Sequence, residues 1–148
     1  MMKNSKPAVN PLLCKVNQTP HATILKLELV SAKDNTVTLK LPFSEHIIGD
    51  PFKRLIHGGA ISTLMDTVCG AAVFQAQGTS QSMATLDLRV DHMKPGEPDA
   101  DVYAIADCYR LTNTVAFIRA TAYTNDINDP IATAVASFMR SNAEFPVK

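Results

Sequence analysis

A chain of 148 residues with a hydrophobic fraction of 46% and a charged fraction of 19% is long enough for one sizeable core and too apolar to remain disordered. Its 14 basic and 14 acidic side chains cancel, which leaves no basic stripe for nucleic acid and no polybasic helix for a membrane surface. Cys14, Cys69 and Cys108 are odd in number, far apart and without C-x-x-C spacing, so neither a disulfide framework nor a structural zinc site is expected.

The chain opens with a basic but not apolar stretch, so no signal peptide is expected. With no apolar run long enough to span a bilayer, a cytoplasmic location is expected. Residues 1–20 read as an N-terminal arm, polar at first, with Pro7 and Pro11 and room for one short helix over 11–17; residues 21–148 read as a single domain. Leu25, Leu27 and Leu29 share one parity while Lys26 and Glu28 take the other, which predicts a half-buried strand over 24–30. Lys33-Asp34-Asn35 is turn chemistry, and Val37 to Leu41 is the returning strand of a hairpin that Pro42 ends. A loop from Phe43 to Leu55, punctuated by Gly49-Asp50-Pro51, leads into the stretch on which the rest is organised.

That stretch, Ile56 to Gln77, contains one charged residue, Asp66, and no other Asp, Glu, Lys or Arg lies between Arg54 and Asp87. Ile61, Leu64, Met65, Val68 and Ala72 recur at helical spacing. Gly59, Ser62, Thr63, Asp66, Gly70 and Val73 fall on the opposite face, where a surface helix carries charges. The expectation is that both faces are covered, one by the chain's own core and the other by a partner or ligand. An ionised acid in such a place is costly unless hydrogen-bonded, which makes Asp66 the first functional candidate; capping a neighbouring segment is its structural alternative. Gly58-Gly59 suits a helix start approached closely by another group, and free N–H groups there attract developing negative charge.

After Gly78 the chain reads as four strands. Met83 to Asp91 alternates, with Leu86, Leu88 and Val90 expected inward and Asp87, Arg89 and Asp91 outward. Pro95-Gly96-Glu97-Pro98 breaks it. Strands are then expected over 100–110, 114–125 and 131–140. Alanine lines one parity of each: Ala104 and Ala106, then Ala116, Ala120 and Ala122, then Ala132, Ala134 and Ala136. Alanine is a poor strand former, and small side chains in register let a helix lie close against a sheet. The sum is an α+β architecture, one antiparallel sheet of about six strands wrapped around one long helix. Its free strand edges need protection, so a homodimer or larger homo-oligomer is expected.

With His57-Gly58-Gly59 followed by Leu64-Met65-Asp66, then Thr85 to Asp91 and the Lys94-Pro95 break, the chain resembles the hotdog-fold acyl-CoA thioesterases, specifically the PaaI-like, phenylacetate-pathway group. The resemblance covers about residues 23–139 and implies hydrolysis of an acyl-CoA thioester to free acid and CoA. It implies that Asp66 is the general base or nucleophile, that the Gly59 amide polarises the thioester carbonyl, that His57 shapes the turn, and that Thr85 holds the acid or the attacking water. Gly58, Ser62 and Asp87 fall among the substrate-binding positions. His92 and Lys94, with Arg110, Thr112, Asn113 and Thr114, match segments that hold the CoA arm. The resemblance also implies that the catalytic groups come from opposite subunits of a dimer, with a tetramer also open. No metal and no organic cofactor is implied.

Two positions depart from the pattern. Pro51 stands where many relatives carry an Asn, with Asp50 and His46 as nearby substitutes, and Thr112-Asn113 stands where many carry a glycine followed by a basic residue. Hydroxyls of Thr85, Ser62 or Thr63 are the groups expected to keep Asp66 ionised and aimed. A hotdog hydratase or dehydratase on enoyl thioesters and a non-catalytic acyl-CoA-binding dimer are the competing readings. A serine hydrolase is disfavoured for want of G-x-S-x-G. Cys69, inside an apolar helix, reads as a small core residue.

Overall fold

The computed structural model describes residues 9–11 and 13–144; the remainder of the expected arm lies outside them. Two short helices open the described chain, α1 (Leu13–Val16) and α2 (Pro20–Leu25). The hairpin β1 (Glu28–Lys33) and β2 (Thr36–Leu41) follows. A two-stranded ribbon, β3 (Ile48–Asp50) and β4 (Leu55–Ile56), then leads into the long helix α3 (Gly58–Gln77). β5 (Gln81–His92), β6 (Val102–Leu111), β7 (Val115–Tyr123) and β8 (Ala132–Glu144) complete the chain. Six strands form one antiparallel sheet in the order β1-β2-β6-β7-β8-β5, and α3 packs across one face of it. The expected architecture is present.

Packing of that helix is decided by the alanine rows. Cross-strand register places Leu39, Ala104, Ala122 and Ala132 in one row, and Val37, Ala106, Ala120 and Ala134 in the next. All eight are buried. Small side chains there leave room for Leu64, Met65 and Val68 of α3, each fully buried. Each contributes roughly 1.5–3 kcal/mol by leaving water.

Three expectations need correction. Residues 24 and 25, expected to open the strand, lie in α2, and β1 begins only at Glu28: Thr19 caps α2 by accepting from the Ala22 N–H at 3.3 Å, Pro20 takes the first helical position, and Lys26 closes the helix at φ 56°. Cap chemistry outweighed the Leu25–Leu29 alternation. Leu86 points outward and is 57% exposed, because a bulge between Thr85 and Asp87 shifts the register of β5 against β8. Before the bulge Met83 and Thr85 face the helix; after it Leu88, Val90 and His92 do. Finally, Gly70 and Val73 of α3 are buried by the chain itself, with Met83 and Phe138 packed over Gly70. Only the N-terminal half of that helix face, at Gly59, Ser62, Thr63 and Asp66, is left open or half-open.

The expected loop over 43–55 holds the β3–β4 ribbon, which fixes the helix start. His57 N–H donates to the Ile47 carbonyl at 2.8 Å. A Cβ at Gly49 would come within 2.8 Å of the His57 Cα, so only glycine permits this approach. The described part of the arm joins the core: Leu13 is fully buried and the Asn10 N–H donates to Gln75 Oε1 at 3.0 Å. Because Ala122 is fully buried in an alanine row, Ala122→Leu overpacks the helix–sheet seam and is expected to cost about 1–3 kcal/mol, read as a lower Tm with unchanged far-UV circular dichroism.

Candidate active site

The start of α3 divides its labour between neighbouring residues. His57 is the N-cap, with extended backbone, and its Nδ1 accepts from the Gly59 N–H at 2.8 Å. A Cβ at Gly59 would meet that Nδ1 at 2.9 Å, so the missing side chain lets the imidazole fold back. The Ala60 and Ile61 N–H groups reach the His57 carbonyl at 3.0 and 3.4 Å. The Gly58 N–H, first in the helix, has no intrahelical partner. The Gly59 amide, expected as the carbonyl donor, is thus already engaged, and the donor left open is one residue earlier.

Two turns along, Asp66 is half-buried and accepts from Thr85 Oγ1 at 2.9 Å. Of the three hydroxyls expected to serve it, only Thr85 does. Thr63 bonds back to the Gly59 carbonyl at 3.0 Å, and Ser62 Oγ lies 3.4 Å from His92 Nε2. His92 thereby sits over the helix start, its Cε1 3.6 Å from where a Gly58 Cβ would stand. Gly59 and Asp66 are seven residues apart on one helix, about 10 Å along its axis. One carbonyl cannot meet both in the same chain.

The remaining sequence candidates separate by end. Lys94 pairs with Asp129 near the helix start. Thr112 closes the β6–β7 turn, its hydroxyl donating to the Val115 carbonyl and accepting the Val115 N–H at 2.8 and 2.9 Å. That turn lies at the other end of the helix, where Arg140 bonds the Thr112 carbonyl, Gln77 Oε1 and Gln81 Oε1, and its N–H reaches the Thr114 carbonyl. Arg110, Asn113 and Thr114 are exposed there. Since α3 has 20 residues, the two groups are about 30 Å apart in one chain. Asp87 faces away from the helix into a shallow hollow with Tyr109, Phe117, Val135 and Ser137. Of the two substitutes near Pro51, Asp50 is occupied, its Oδ1 accepting from the Phe52 and Lys53 N–H groups at 3.0 Å each, and His46 is exposed. Sequence reasoning missed Arg140 as the clamp at the far end and the seat of His92 on Gly58; both depend on strand register, which leaves no local signal.

The sequence profile of the thioesterase superfamily matches residues 54–131, more than half of the chain and the whole of the helix–β5 unit just described. The chain belongs to the thioesterase superfamily. It is 27% identical over 137 residues to the medium/long-chain acyl-CoA thioesterase YigI of Escherichia coli, covering 84% of this chain and 87% of that one. A crystal structure of a Pseudomonas aeruginosa protein superposes with a TM-score of 0.80 at 44% identity, over 88% of this chain and all of that one. The PaaI protein of the Escherichia coli phenylacetic acid degradation operon shares the fold, with a TM-score of 0.77 at 12% identity over 93% of this chain and 99% of that one. The protein is therefore a thioester hydrolase with the hotdog fold.

Cys69 is not placed to be its nucleophile. Burial, with the nearby Asp66 charge adding to it, pushes the thiol up to about 12, and burial likewise raises Cys108. The native protein is expected to react with a thiol reagent at the exposed Cys14 alone, with Cys69 and Cys108 labelled only after denaturation, as mass spectrometry of the labelled peptides would show.

Proposed function

We propose that the protein is an acyl-CoA thioesterase acting as a homodimer, in which Asp66 of one subunit faces the helix start of the other. The observation that carries this reading is the separation of an open helix-start amide and a hydroxyl-held carboxylate along one helix. A two-fold axis beside β5 would close the gap. β5 borders the sheet and has no strand on its outer side among the described residues. The same axis would bring the Arg110–Thr114 turn of one subunit toward Lys94 of the other, joining the groups assigned to the CoA arm.

In this mechanism the thioester carbonyl accepts from the Gly58 N–H, the donor available without breaking the His57–Gly59 bond. A fixed amide stabilises the oxyanion without reorganisation. Asp66, aimed by Thr85, either takes a proton from the water that attacks the carbonyl or attacks it directly to give an anhydride that water then hydrolyses; in both cases the C–S bond breaks and CoA leaves as the thiolate, which takes up a proton. The similarity to YigI makes medium- and long-chain acyl-CoA the substrates to test first, by thiol release in a cytoplasmic buffer, and absorbance of an enoyl thioester tests the hydratase alternative. Asp66→Asn is expected to lower turnover at least about a hundredfold while leaving thermal unfolding unchanged or slightly higher.

A sharper test removes the donor. His57 has φ −62° and ψ 134°, the conformation proline favours in the residue before it, and the first helical position accepts proline. Gly58→Pro should therefore fold normally and lose about 10²–10³ in kcat. When the Asp66→Asn and Gly58→Pro chains are unfolded, mixed equally and refolded, about a quarter of wild-type activity should return, because half the dimers are mixed and each holds one intact shared site. A site contained in one chain predicts no recovery.

A further inference from the structure

We propose that His92 is a second oxyanion donor, contributed through its Nδ1–H beside the Gly58 amide; this rests on the shared-site reading above. At the helix start the Gly58 N–H is open while His57 occupies the Gly59 N–H, so a further donor would have to be a side chain. His92 fills that gap by position. It is exposed, it follows the β5 bulge onto the helix face, and its ring packs on Gly58, with Cε1 at 3.6 Å and both ring nitrogens at 4.0 Å from the site of a Cβ. A Cβ on residue 58 would stand in ordinary van der Waals contact with the imidazole.

Ser62 is the donor in this assignment, its hydroxyl being able to donate to or accept from the ring. Its Oγ lies 3.4 Å from Nε2, on the helix face one turn beyond Gly58. In the neutral ring, a hydroxyl donating to Nε2 leaves the proton on Nδ1. Nδ1 makes no hydrogen bond among the described residues, so its N–H is free for substrate. In this assignment a thioester oxygen resting on the Gly58 N–H also accepts from the Nδ1–H, and both hydrogen bonds strengthen as charge moves onto oxygen. His92 is thus a catalytic residue, and Ser62 a positioning residue that acts through it.

The test uses full-length protein and a thioester 13C-labelled at its carbonyl, the medium-chain acyl-CoA with highest turnover. His92→Phe, which fills the same space without a donor, should lose about a hundredfold in kcat with KM changed by less than about threefold. His92→Gln, which restores an N–H donor, should recover about tenfold of that loss, and Ser62→Ala should lose less than His92→Phe. In the Asp66→Asn background, where bound thioester persists, infrared spectra should show the carbonyl stretch at higher frequency once His92→Phe is added. Unchanged kcat and an unchanged carbonyl stretch would overturn the assignment, as would a loss confined to KM. Should His92→Phe not fold, Ser62→Ala read by the same stretch decides. Normal activity in the Asp66→Asn variant instead overturns the parent reading, so the two failures are distinct.

Discussion

Close approach of α3 to the sheet is the constraint from which the rest follows. A helix carrying Leu64, Met65 and Val68 can settle only where the strands beneath it carry almost nothing beyond a methyl group, and the rows through Ala104, Ala122, Ala132 and Ala106, Ala120, Ala134 supply that floor. Interiors packed to crystal-like density transmit small displacements. The depth at which the helix lies therefore sets the distance from its open face to β5. Thr85 reaches Asp66 and His92 reaches Ser62 because that depth is small.

The bulge in β5 adds the second control. Without it, one parity of the strand would face the helix from end to end, and Thr85 and His92, being of opposite parity, could not both do so. The extra residue, Leu86, is turned out to solvent, and the strand presents its hydroxyl to the acid and its imidazole to the helix start. A bulge beside an active site re-aims side chains in this way, here at the cost of exposing one leucine.

Chemistry at the helix start rests on two glycines with separate duties. Gly59 makes room for its own cap, and Gly58 offers both a free amide and a surface on which another residue can lie. The carboxylate stands too far down the same helix to share a carbonyl with that amide, and the cationic and turn segments sit at opposite helix ends. Each group is well held by its own chain, while the proposed chemistry needs them side by side. In the homodimer proposed above, symmetry would complete what one chain leaves apart.

Much of this was legible in the sequence. The lone acid in an apolar helical run, the His-Gly-Gly before it, the alternating strands and the alanine parities depend on local periodicity and composition, and these determined the fold class, the central helix, the strand sequence and Asp66 as the residue to examine. The first strand was misplaced because Thr19 and Pro20 outrank the leucine alternation that follows them. What only the tertiary structure decided was partnership: that Thr85, not Thr63 or Ser62, serves Asp66; that Gly59 is spent on His57; that His92 lies over Gly58; and that Arg140 gathers the far end. Apart from the local Gly59–His57 bond, these depend on register between segments distant in the chain, and in β5 one extra residue reverses the facing. Periodicity reports which face a residue occupies on its own element, but which residue stands opposite is set by how the elements pack.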